Sequence, residues 1–157
     1  MSVPTAIVWF RKCLRLHDNP ALTWACESSE VDSILPVFIM DEELGSEGTG
    51  GIGFNRARFL VQSLRDLDDS LRRELGLRLR ILRGDILETM ESVINSLDGG
   101  APYLAYEYCS EPKSLFVSAE ISRWELSGKM KFEPRIFSGS HTLPVSYTHL
   151  RAHETGY

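Results

Sequence analysis

Ala6-Ile7-Val8-Trp9-Phe10 is apolar at every position, and a charged run, Arg11-Lys12-Cys13-Leu14-Arg15, follows at once. A strand with apolar side chains on both faces must be covered on both, as in a parallel sheet flanked by helices. Asn19-Pro20 then offers an N-cap and a residue suited to the first helical position, where a missing N–H costs nothing. One stretch therefore predicts a buried strand, a cationic loop and a capped helix. In open α/β sheets the carboxyl end of such a strand borders the ligand crevice.

The rest of the chain repeats this alternation. Helix is expected over Pro20–Glu27, a second apolar strand over Ile34–Met40, and a long helix over Asn55–Leu75. Leu60, Leu64, Leu67, Leu71 and Leu75 give that helix one apolar stripe, and Gly76 suits its C-terminal cap. Asp66, Asp68 and Asp69 beside Arg65, Arg72 and Arg73 fit a solvated face. Leu77–Leu82 alternates Leu77, Leu79 and Ile81 with Arg78 and Arg80, which predicts a half-exposed edge strand. Asp85 caps a helix over Ile86–Leu97, with Glu88 placed as in a capping box. A fourth strand is expected from Tyr103 to Tyr106 or Glu107, a helix from about Pro112 to Leu126, and a fifth strand over Lys131–Phe137. Pro36 is expected near a strand start or a gap in pairing, and Pro134 at an edge. The order β-α-β-α-β-α-β-α-β implies a parallel sheet with helices on both faces.

The chain has 157 residues, one domain's worth, and 43% hydrophobic content supports a core. A net charge of −5 argues against this segment being a nucleic-acid-binding surface by itself. Cys13, Cys26 and Cys109 are odd in number and lack metal-ligand spacing, which fits a reduced, intracellular protein. No secretory signal and no apolar run of membrane length are visible. Gly48-x-Gly50-x-x-Gly53 formally matches a dinucleotide fingerprint. Several residues separate it from the preceding strand, so a surface loop is the expectation.

Trp9-Phe10-Arg11-Lys12-x-Leu14-Arg15-Leu16-His17-Asp18-Asn19-Pro20-Ala21-Leu22 resembles the opening signature of the photolyase/cryptochrome family, with details nearest the animal-type cryptochromes and (6-4) photolyases. Cys13 departs from the usual Gly or Asp. Glu107-Tyr108-Cys109-Ser110-Glu111-Pro112 resembles the family's Glu-x-x-x-Glu-Pro segment. Ser140-His141-Thr142-Leu143 resembles its Ser-His-Thr-Leu. The resemblance covers about residues 5 to 143, the family's N-terminal α/β antenna domain. It implies a five-stranded, Rossmann-like parallel sheet of order 3-2-1-4-5.

The same resemblance implies a light-driven flavoprotein whose FAD, catalytic histidine and DNA-binding groove lie in a helical domain that follows. A (6-4) DNA photolyase, a lyase that repairs ultraviolet-damaged DNA by light-driven electron transfer, is the leading expectation. A cryptochrome photoreceptor acting through signalling proteins is the alternative, and either role implies the nucleus or cytoplasm. This segment alone is expected to be inactive in repair and to carry no catalytic or metal-binding residue. A free-standing nucleotide-binding domain of similar topology lacks a Gly-rich loop directly after the first strand.

In the implied order, strands one and four meet at the topological switch point. Arg11, Lys12 and Arg15 would form one wall of the crevice, and Glu107, Cys109, Ser110 and Glu111 the other. These residues are the candidates for binding an antenna chromophore, a folate (MTHF) or a deazaflavin (8-HDF). The alternative is that the basic and acidic walls only pair with each other. Cys109 is read as a small packing residue, and Trp9, Trp24 and Trp124 as core.

After Pro144 the resemblance stops. Residues 145–157, beginning Val145-Ser146-Tyr147-Thr148-His149-Leu150, look like one reading frame of a transposase sequencing adapter and are expected to be non-native. Residues 1–144 would then be the α/β domain of a truncated parent. His149 and His153 lack a third ligand for zinc. Sequencing the transcript across codon 144 should show a frame continuing into a long helical domain, and a natural stop after Tyr157 would refute this.

Overall fold

The computed structural model describes residues 4–41 and 53–138. The Gly48–Gly53 loop motif except Gly53, the Ser140–Leu143 segment and the 145–157 tail lie outside them. The elements are β1 (Thr5–Phe10), α1 (Pro20–Glu27), β2 (Ser33–Met40), α2 (Phe54–Leu75), β3 (Arg80–Arg83), α3 (Ile86–Asn95), β4 (Tyr103–Glu107), α4 (Pro112–Ser127) and β5 (Glu133–Phe137). The five strands are all parallel, in the order β3-β2-β1-β4-β5.

β1 is the centre of the sheet, and Ala6 to Phe10 are each no more than 4% exposed. Ile7 and Trp9 point into one core with Val37, Ile39, Leu104 and Tyr106, covered by α3 and α4. Ala6, Val8 and Phe10 point into a second core with Phe38, Tyr103 and Ala105, covered by α1 and α2. The two-sided burial inferred from the uninterrupted apolar run is therefore present. Each large side chain so buried contributes roughly 1.5–3 kcal/mol.

The helix ends follow the expected chemistry. Asn19 Oδ1 accepts from Leu22 N at 3.0 Å, while its amide donates to Arg15 O at 3.2 Å. Asp85 Oδ1 accepts from Glu88 N at 3.0 Å. Gly76 and Gly128 close α2 and α4 at φ of 67° and 65°, the left-handed region that glycine enters without a Cβ clash.

Three expectations shift. The third strand is Arg80–Arg83, not Leu77–Leu82, because Leu77 and Leu79 are used to dock against α2 before pairing with β2 begins. Ile81, expected inside, is 47% exposed at the edge, and Leu82 packs against the opposite core instead. In α2 the stripe is buried at Leu64, Leu67 and Leu71, but Leu75 in its last turn is exposed. Pro36 pairs with Val8 of β1, and β3 pairs only from Val37 onward, so Pro36 precedes that ladder. In β5, Glu133 N–H bonds to Pro102 O on the β4 side at 2.9 Å. Alternation then turns the donor-less nitrogen of Pro134 to the outer edge.

Asp68 is not merely part of a solvated face. Its carboxylate accepts from Leu79 N at 2.8 Å and pairs with Arg72 at 3.2 Å and Arg78 at 3.4 Å. The Leu79 backbone bond, helped by both guanidinium groups, holds its pKa below the ordinary carboxylate value. A folded pKa below the unfolded value of about 3.9 contributes stability above that pH and loses it as pH falls through the folded value. Urea titrations between pH 5 and pH 2 should therefore show a smaller acid loss of stability in Asp68→Asn than in the parent chain.

Candidate functional site: the carboxyl ends of β1, β2 and β4

Arg11 is the first charged residue after β1, on the same side of the strand as Trp9. It does not line a solvent wall as expected from sequence but reaches beneath α4. Its guanidinium donates to Ser114 O at 3.2 Å and Ser118 Oγ at 3.4 Å. The same group lies 4.5 Å from the Trp9 ring centroid and 5.6 Å from that of Tyr106. Burial lowers the Arg11 pKa, and the neighbouring Cys109, Tyr106 and Glu111 oppose that shift. Arg11 remains a cation, stabilised by a carbonyl and two aromatic faces.

Lys12 turns outward and pairs with Glu111 at 3.0 Å, both side chains being well exposed. Arg15 Nε donates to His17 O at 3.1 Å, bracing its own loop. Asp18, at φ 49°, bends the chain into the Asn19 cap. Lys113 at the start of α4 pairs with Asp41 after β2, which draws the end of α4 across the sheet. Of the residues inferred from sequence to face each other, Lys12 and Glu111 meet directly.

Glu107 closes β4 and stands against the Cys13 thiol. Burial raises the Cys13 pKa, and the neighbouring Glu107 adds to this. The other feature of Glu107 is a shortage: its Oε1 is buried without a hydrogen-bond partner among the described residues. Tyr106 Oη is likewise buried and unbonded. Burial raises the Tyr106 pKa, while Ser118 and Arg11 favour the ionised form without Ser118 reaching hydrogen-bond geometry. Ser110 is exposed, and Cys109 is half-buried.

An apolar opening beside these residues lies on the other side of Arg11 and Lys12. A cavity of about 430 Å³ is lined by Leu14, Phe38, Phe59 and Leu60, with Arg11, Lys12, Asn55 and Arg56 at its polar margin. Sequence reasoning missed this β2–α2 side of the site. The available signal was Phe59, an aromatic residue off the buried Leu stripe and 72% exposed. A second depression of about 520 Å³ is lined by Asp18, Asn19, Pro20, Thr23, Trp24, Glu27 and Ser138. Its charged groups are both acids, so it suits an anion poorly. Among the described residues, no cluster of His, Cys, Asp and Glu could hold a metal, and no helix is long and apolar enough to cross a membrane.

A parallel 3-2-1-4-5 sheet with this loop after β1 has close relatives. The DNA photolyase family model matches residues 6–124. The chain belongs to the DNA photolyase family. It is 42% identical over 112 residues to Cryptochrome-1 of Anopheles gambiae, covering 68% of this chain and 20% of that protein. It is 36% identical over 160 residues to a (6-4)DNA photolyase of Arabidopsis thaliana, covering 90% of this chain and 28% of that protein. The cryptochrome of Synechocystis sp. PCC6803 matches in structure with a TM-score of 0.72 at 26% identity, over 89% of this chain and 28% of that one. An archaeal photolyase of Sulfolobus tokodaii matches with a TM-score of 0.69 at 27% identity, over 90% of this chain and 31% of that one. The chain therefore spans less than a third of the length of these relatives.

The contrast between Arg11 and Lys12 is measurable. Arg11→Met should lower stability to urea by about 1–3 kcal/mol, through loss of charge-assisted and cation–π contacts. Lys12→Ala should cost less than about 1 kcal/mol, as an exposed ion pair does.

Proposed function

We propose that this chain is the α/β domain of a light-driven flavoprotein and that its crevice holds a planar antenna chromophore. The observation that carries this reading is the cavity beside Arg11. Phe38 and Phe59 supply apolar walls for an aromatic ring system, and Lys12 and Arg56 supply cations for an anionic tail. Its volume of about 430 Å³ is in the range of small-molecule sites. The unpartnered Glu107 Oε1 fits a ring N–H donor arriving from the β4 side, next to Cys109, Ser110 and Glu111. Arg15 acts by holding the loop that carries Arg11 and Lys12.

The ligand classes are a folate, a deazaflavin or a flavin. The Sulfolobus tokodaii photolyase is described with two FAD molecules, with the implication of a novel light-harvesting cofactor, which supports a flavin-sized guest. Such a group, when bound, supplies absorption of blue light and transfer of excitation. The residues here bind it, orient it and exclude water from one of its faces. The catalytic FAD itself belongs to the helical domain that the family resemblance implies beyond this segment.

For the whole protein we infer light-driven repair of ultraviolet-damaged DNA, as in a (6-4) photolyase. The Arabidopsis match, which extends over 90% of the chain, supports it. The higher identity to a mosquito cryptochrome supports a photoreceptor acting on signalling partners as the second reading. Repair of damaged DNA in light but not darkness by the complete reading frame is the expected outcome. Light-dependent partner binding without repair would favour the second.

The site is testable on this chain directly. Fluorescence titration with a reduced folate, a deazaflavin, FMN and ATP should show binding of a planar chromophore, weakened at least tenfold in Phe59→Ala and in Arg56→Ala. Selective binding of ATP would overturn the antenna reading.

A further inference from the structure

We propose that Cys13 and Cys109 form a redox pair that closes to an intramolecular disulfide across the mouth of the β1–β4 crevice. The two cysteines lie on loops that leave neighbouring strands. Trp9 of β1 is in register with Tyr106 of β4, and such strands run about 4.8 Å apart. Beyond the strands the loops stay together. Lys12, adjacent to Cys13, pairs with Glu111 at 3.0 Å, and Arg11 reaches Ser114 O at 3.2 Å.

Within that frame Cys13 has Glu107, two residues before Cys109, and Cys109 itself among the neighbours that act on its thiol. Cys109 is also a near neighbour of the Arg11 guanidinium. Both thiols are half-buried, open to a small oxidant but outside both apolar cores. Disulfide closure needs Cα atoms within about 7 Å, so oxidation would hold the two tied loops at that separation. The third cysteine, Cys26, is exposed on α1, so it serves as an internal control.

The oxidant we name is glutathione disulfide. One protein thiolate attacks it, and the glutathione thiolate leaves. The second protein thiolate then attacks the mixed disulfide and expels a second glutathione. One S–S bond is reduced and one is formed, and the two thiol protons end on glutathione. Closure fixes the spacing of the two loops. The bond depends on the thiols alone, whether or not a chromophore occupies the crevice.

Peptide mapping of the full chain decides the matter. The reduced chain is incubated with glutathione disulfide, alkylated and digested with trypsin without reduction. The expected product is peptide 13–15 joined to peptide 84–113, released by dithiothreitol, with Cys26 in peptide 16–56 outside the link. Cys109→Ser should abolish the link without a Cys13–Cys26 bond replacing it. Cys13 and Cys109 recovered as thiols or as separate glutathione adducts, while Cys26 has reacted, would overturn the proposal. So would Cys13–Cys26 links as abundant as Cys13–Cys109 links in the parent chain, a comparison that holds even if the serine variant fails to fold.

Discussion

A strand buried on both faces cannot carry a charge until it leaves the sheet. β1 is in that position, and every polar function of its end of the molecule is displaced to the residues just beyond Phe10. The first of these, Arg11, is still partly enclosed. It is compensated by a carbonyl of α4 and by two aromatic faces rather than by a carboxylate. That choice sets the position of α4 over the sheet. It also leaves Glu111 to pair with Lys12 and Glu107 to stand beside the Cys13 thiol. The loop conformations around the crevice follow from how one guanidinium is accommodated.

The crevice that results is asymmetric about Arg11. On the β2 and α2 side it is apolar and cationic, with Phe38, Phe59 and Arg56. On the β4 side it holds a buried carboxylate oxygen without a donor, and two thiols. A ligand spanning both sides would meet aromatic walls and cations at one end and an acceptor at the other. This polarity, more than the cavity's size, narrows the chemistry that could be recognised.

Much of this was legible in the sequence, because the sheet centre and the helix ends are governed by local rules. Five consecutive apolar residues indicate two-sided burial, Asn19-Pro20 a helix start, and Gly76 a helix end. What escaped depended on distant partners. The alternating leucines before β3 resemble strand, yet Leu77 and Leu79 spend their burial on α2, and Asp68 holds the Leu79 amide. No local pattern distinguishes that docking from pairing. Lys12 and Glu111 meet across the crevice, but Arg11, expected to face across it as well, does not. The Ser114 carbonyl that captures it belongs to a helix about a hundred residues later, and carbonyls carry no sequence signal. Phe59 was passed over because an exposed aromatic in a helix has meaning only once the loop opposite is in place.

The sheet's two edges are guarded by unlike means. At β5 the outer side lacks an amide donor at Pro134. At β3 the short ladder presents exposed Arg80 and Arg83. An incoming strand would find a gap in the hydrogen-bond comb at one end, and a second copy of the same edge would find like charge at the other. Among the described residues, then, the route to polymerisation through open strands is obstructed at both ends of an acidic domain, once for reasons of stereochemistry and once for reasons of charge. Salt would relax only the second barrier, so whatever self-association ionic strength releases should propagate from β3 and not from β5.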